Sequence, residues 1–185
     1  AAYSPVHATR LGDHRFDSEL DQVNRDAREQ RAKWIRGVNQ QLEQIDASRL
    51  SRSNQVDYAL LKHALDAQLW KLTELREWEW NPLIYTGLAG DAIYGLMARD
   101  FAPQRERLNN VALRLEQFPR FLKQVRDTLD VERVPAVHAR TAAAQNRGVL
   151  KTIDHLVRPL TGDLSDRERE RLVRAIGVAE QAIGE

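Results

Sequence analysis

A chain of 185 residues with 42% apolar and 30% charged side chains is long enough to bury a real core and ordinary enough for one globular domain. Its 28 basic and 27 acidic residues leave a formal charge of +1, so no net field draws nucleic acid or anionic lipid. The lack of cysteine excludes disulfide scaffolds, thiolate zinc sites and cysteine nucleophiles.

Pro5 and Gly12 act as breakers, so residues 1–16 read as an irregular lead-in. A first helix is expected from Asp17 or Ser18 to Asp46, with Leu20, Val23, Ala27, Trp34, Val38, Leu42 and Ile45 in one stripe. Ser51 and Ser53 suit an N-cap, because a hydroxyl accepts from an otherwise orphan backbone N–H. The second helix, to Glu79, carries two apolar stripes: Tyr58, Leu61, Leu65, Leu69 and Leu72 on one side, and Val56, Leu60, Ala64, Ala67 and Trp78 on the other. A helix apolar on two sides belongs between neighbours, so this one is expected to be central and most buried. Pro82 disfavours helical geometry at Asn81 and ends it.

A third helix falls within Ile84 to Asp100, and a fourth follows Pro103 through Leu108, Val111, Ala112, Leu115 and Phe118. Pro119 restarts or kinks that pattern, which continues to Leu129, and Pro135 opens a long helix reaching Val157. Ser165 and Glu168 form a capping-box pair for the last helix, with Leu172, Ile176, Ala179 and Ile183 as its stripe. That helix meets no stop signal by Glu185, so an uncovered stripe, frayed ends or self-association are expected there. The sum is an all-α fold: one helical domain over residues 1–185, an array of about six or seven helices. No stretch approaches the roughly 20 apolar residues of a membrane span. No signal peptide is visible, although the opening Ala1-Ala2-Tyr3 looks like a sequence trimmed of its leader.

Chemistry is sparse. The five histidines (His7, His14, His63, His138 and His155) include no pair at the i, i+4 spacing of a helical zinc site, and there is no HExxH. Asp13 and His14 are neighbours, as are Asp154 and His155, so on a helix each pair diverges. Glu74, Glu77 and Glu79 could be read as paired carboxylates, and Glu74 and Glu77 can share a face, but Arg76 lies beside them and a Glu-rich helix is a common structural feature. The serines sit in turns or caps with no GxSxG elbow, and Gly87 to Gly90 is too short for a phosphate loop. No catalytic or metal-ligating residue is therefore assigned. The aromatic segment from Trp78 to Tyr85 plugs the joint between two helices or walls a binding groove. As substrate-binding candidates we take Trp80, Asn81 and Tyr85, expected near a concave surface where Pro82 breaks the chain.

The order of several short motifs is informative. They are Ser4 to Thr9 with Leu11 to Asp17, then Asp57 to Leu61, Glu77 to Tyr85, and Arg99 to Pro103 with Arg107 and Leu108. Further on come Arg133 to Pro135, then Thr141 and Ala142 with Gln145 and Asn146. On these the chain resembles, over its whole length, the bacterial family called domain of unknown function 885. The resemblance implies the N-terminal portion of a longer protein, exported or lipoprotein-anchored. It also implies a clefted helical shell similar to carboxypeptidase Taq or angiotensin-converting enzyme, and a zinc metallopeptidase-like hydrolase whose HExxH motif lies in the C-terminal half. Zinc is then expected in that missing part and no cofactor in this chain. The implied partners are the chain's own C-terminal catalytic half and a peptide substrate. The alternative is a non-catalytic helical interaction or scaffold module.

Overall fold

The computed structural model describes residues 4–185, and every regular element in them is helical. The α-helices are α1 (Pro5–Arg10), α2 (Arg25–Glu43), α3 (Arg52–Trp70), α4 (Glu77–Trp80), α5 (Leu83–Met97), α6 (Gln104–Leu115), α7 (Phe118–Thr128), α8 (Ala136–Leu156) and α9 (Asp166–Gly184). The all-α expectation holds, and the short α1 and α4 account for the excess over six or seven. None of the described helices is long and apolar enough to cross a membrane.

Pro5 does not break α1. It occupies the first turn, where a missing N–H costs nothing because no intrahelical partner exists there. The first long helix starts later than expected, at Arg25, where the Asn24 side chain accepts from the Ala27 N–H at 2.9 Å. Residues 18–23 instead run without helical structure over α6 and α7, and their backbone groups need partners from elsewhere. One row of long side chains supplies them. Arg114 donates to the Glu19 carbonyl, Gln117 bonds both Ser18 and Leu20, Arg120 donates to the Leu20 and Asp21 carbonyls, and Gln124 accepts from the Val23 N–H.

The centre of the molecule is α5, and this corrects the expectation that the second long helix is central. Ala92, Ile93 and Leu96 of α5 are fully buried, packed between α8, α6 and α1. Around them lie Leu108, Val111 and Leu115 of α6, Phe118 and Phe121 of α7, Ile153 of α8 and Leu172, Ile176 and Ala179 of α9. In α3 only Leu65 is buried, while Leu60 is 62% and Leu61 46% exposed. The physical reason is a shortage of neighbours. α3 folds back on α2 as a hairpin arm and spends one stripe there, where Leu65 joins Ile35 and Leu42, flanked by Val38, Tyr58, Leu69 and Leu72. Its other stripe meets no second layer among the described residues.

α3 also stops before Glu79. A π-turn over Lys71–Leu75 and a left-handed Arg76 (φ 50°, ψ 43°) separate it from α4. Asn81 is extended (φ −109°, ψ 91°), as the following proline requires. Pro119 sits in the first turn of α7. The capping box of α9 is present, with the Ser165 N–H and hydroxyl both bonded to Glu168. The uncovered stripe expected on α9 is internal: Leu172, Ile176 and Ala179 are spent against α6 and α7.

Candidate functional site

The break at Arg76 turns the chain so that α4 presents two tryptophans, two residues apart, to different surroundings. Trp80 is half-buried, donates its indole N–H to the Leu75 carbonyl at 3.2 Å and stacks on His138 of α8, with ring centroids 5.8 Å apart. Trp78 donates to the Leu72 carbonyl at 2.9 Å and carries the Arg28 guanidinium 3.9 Å above its ring. Glu79 is buried and pairs with both Arg76 and Arg133, and its carbonyl accepts from the Asp130 N–H at 2.8 Å. The joint is thereby pinned to the segment before α8.

Asn81 is buried and acts as a cap. Its amide donates to Glu77 at 2.6 Å, and its carbonyl oxygen accepts from the Leu83 N–H at 3.1 Å. Tyr85 is buried on α5, and its hydroxyl donates to the Trp78 carbonyl at 2.7 Å. Burial pushes the Tyr85 hydroxyl up to about 12, with the Arg28 charge opposing, so it stays a neutral donor rather than a base. Burial likewise pulls Arg28 down.

A cleft of about 250 Å³ opens between the N-terminal half of α2, residues 21–23 and the start of α5. Its floor is Val23, Leu72, Trp78, Ile84, Tyr85 and Leu88, and its polar rim is Ser4, Asp21, Gln22, Arg28 and Arg31. Of the three residues expected at a concave surface, Tyr85 reaches this cleft; Trp80 and Asn81 are not among its walls. Trp78 and Arg28 take their place. Arg28 is held by bonds to the Val23 carbonyl and the Thr128 hydroxyl, so its charge is fixed over the aromatic floor. No spacing in the sequence connects Arg28 to a tryptophan fifty residues later. Only the hairpin brings them together.

The chemistry offered is binding. An apolar floor beside a fixed guanidinium accepts an apolar side chain and a carbonyl or carboxylate acceptor. Typical small-molecule sites hold roughly 300–1,000 Å³. The cleft falls below that range and has room for one or two side chains rather than a whole small molecule. The histidines are used separately: His14 pairs with Asp17, and His138 stacks on Trp80. No group of three or more His, Asp or Glu side chains is placed to hold a metal among the described residues. The residues present do not fit a zinc ligand set.

Fold and cleft define an all-helical domain with an aromatic-floored groove between a hairpin arm and a central helix. The chain belongs to the family of bacterial proteins of unknown function known as DUF885, whose model matches residues 5–185. In fold it is similar to a candidate lipoprotein of unknown function from Shewanella oneidensis, with a TM-score of 0.84 and 24% identity. That likeness covers 99% of this chain and 33% of the other, so the chain spans about a third of that protein's length. No curated protein matches the chain.

Proposed function

We propose that this chain is the N-terminal, cleft-forming part of a longer exported hydrolase of the zinc metallopeptidase type, with catalytic groups and zinc supplied by C-terminal residues. One observation carries the reading. The Arg28–Trp78–Tyr85 cleft has binding character without catalytic groups and is too small for a whole ligand, as a partial wall of a larger channel would be. The length of the Shewanella neighbour, about three times the matched portion, supports it, and the lipoprotein description of that neighbour supports an exported location. The substrate on this reading is a peptide, with an apolar side chain against Trp78 and an acceptor oxygen at Arg28.

A second reading, a non-catalytic helical interaction module, is favoured by the exposed apolar side of α3, where Val56 and Leu60 meet no partner layer among the described residues. Metal content and turnover of a mixed peptide library distinguish the two. They are measured side by side on the 185-residue chain and on the same chain extended through the sequence that follows it in the full-length protein. The first reading expects stoichiometric zinc and hydrolysis in the extended protein only. A metal-free, inert extended protein overturns it in favour of the module. Zinc held tightly by the 185-residue chain alone overturns the assignment of the metal to the C-terminal part.

A further inference from the structure

A second cavity, of about 390 Å³, lies where α1 and the turn after it meet the C-terminal half of α5. This volume is within the range of self-contained small-molecule sites, roughly 300–1,000 Å³. Its polar wall includes Arg10, His14, Asp91, Tyr94 and Arg99, and Phe101, Gly95 and Ala98 add apolar surface.

His14 is held in one orientation by a chain of groups running into the core. Its Nδ1 lies 2.9 Å from the Asp17 carboxylate, which is only 4% exposed. The other Asp17 oxygen accepts from the Thr9 hydroxyl at 2.6 Å, and that hydroxyl accepts from Arg114 at 2.7 Å. Arg114 is fully buried and also donates to the Ala92 and Glu19 carbonyls. An ionised carboxylate only accepts, so the proton at this contact sits on His14 Nδ1, and Nε2 is left as an acceptor on the cavity wall rather than a donor to an anion. Phe101 fixes the ring plane, stacked at 3.7 Å between centroids and 12° between planes. Nε2 has no partner among the described residues.

The charges around it are mostly positive. Arg99 makes no ion pair among the described residues. Arg10 reaches Asp91 only at 4.0 Å, with both side chains more than half exposed. Two guanidiniums against one carboxylate repel a metal cation, and the single surplus charge suits a monoanion better than a dianion. We propose that this cavity binds a small monocarboxylate with an apolar body, its oxygens at the Arg10 and Arg99 guanidiniums and its body on Phe101 and the Tyr94 ring, with the His14 ring as a neighbouring wall. The site is separate from the cleft and does not depend on its proposed function.

The test follows the His14 ring signals by NMR in the 185-residue chain at neutral pH. The titrants are 3-phenylpropionate, its neutral amide and inorganic phosphate. The expected result is a saturable His14 shift with the carboxylate, and binding of both the amide and phosphate weaker by about tenfold or more. Arg99→Gln, at an exposed position with no ion pair to lose, weakens the carboxylate at least fivefold while the dispersion of the spectrum is retained. An equal response to the amide, tighter phosphate binding, no saturation below about 20 mM, or unchanged affinity in Arg99→Gln would overturn the proposal.

Discussion

α3 and α9 are both 19-residue helices, yet α9 buries five side chains and α3 buries one. The difference does not lie in apolar content, since α3 carries the longer roll of leucines. α9 lies against α6, α7 and α8, whereas among the described residues α3 packs chiefly on α2 and its own flanking turns. Burial follows the number of neighbours a helix finds, and a second apolar stripe does not create a second neighbour. Hydrophobic stabilisation should therefore be concentrated around α5 and thin along the arm.

The contrast is tested most severely in the main core. Phe121→Ala removes a fully buried ring packed against Phe118 at 6.3 Å, and should cost about 3–5 kcal/mol in chemical denaturation. A loss under about 1 kcal/mol would mean the packing there is loose. Leu65→Ala empties the middle of the small arm cluster and should cost about 2–3 kcal/mol, the low end for a buried leucine. Hydrogen exchange should show that loss confined mostly to α2 and α3; equal loss of protection in α5 would mean arm and core unfold as one unit.

Tyr85→Phe sharpens the account of the joint. It deletes the bond to the Trp78 carbonyl and should cost about 0.5–1.5 kcal/mol. Because the folded tyrosine titrates at about 12 rather than the ordinary 10, its neutral form contributes stability that is complete below pH 10 and lost as pH rises toward 12. Stability profiles across that alkaline window should fall more steeply for the unsubstituted protein than for Tyr85→Phe. Parallel profiles would remove burial as the cause. Leu60→Ala, on the outer side of α3, should change stability by no more than about 0.5 kcal/mol. A loss as large as that of Leu65→Ala would mean the outer stripe is covered in solution.

Much of the fold is legible in the sequence because local signals and tertiary context agree. Pro82 and the extended Asn81, Pro119 at the head of α7, and the Ser165–Glu168 box all act within a few residues of themselves. The failures come where distant groups decide. Residues 18–23 carry a helical pattern, but Arg114, Gln117, Arg120 and Gln124, about a hundred residues later, satisfy their backbone in a non-helical form. Pro5 reads as a breaker until its place in a first turn is known. The candidate site was half legible. Aromatic clustering points to Tyr85, but a two-residue step on a four-residue helix decides that Trp78 and not Trp80 meets the cleft. His14 looked unpaired beside Asp13 because a helical geometry was assumed, whereas a 3₁₀ turn over His14–Phe16 brings Asp17 to it instead.

The central claim is that the Arg28–Trp78–Tyr85 cleft forms one wall of a substrate channel in the longer protein. Leu88→Trp, placed in the floor of that cleft, tests it most directly in the extended protein through steady-state kinetics on a mixed peptide library. The account predicts a KM raised by about tenfold with kcat within about twofold, because filling a side-chain pocket removes uniform binding and leaves the chemistry alone. Unchanged KM and kcat in Leu88→Trp, or no peptide turnover by the extended protein before substitution, would contradict it.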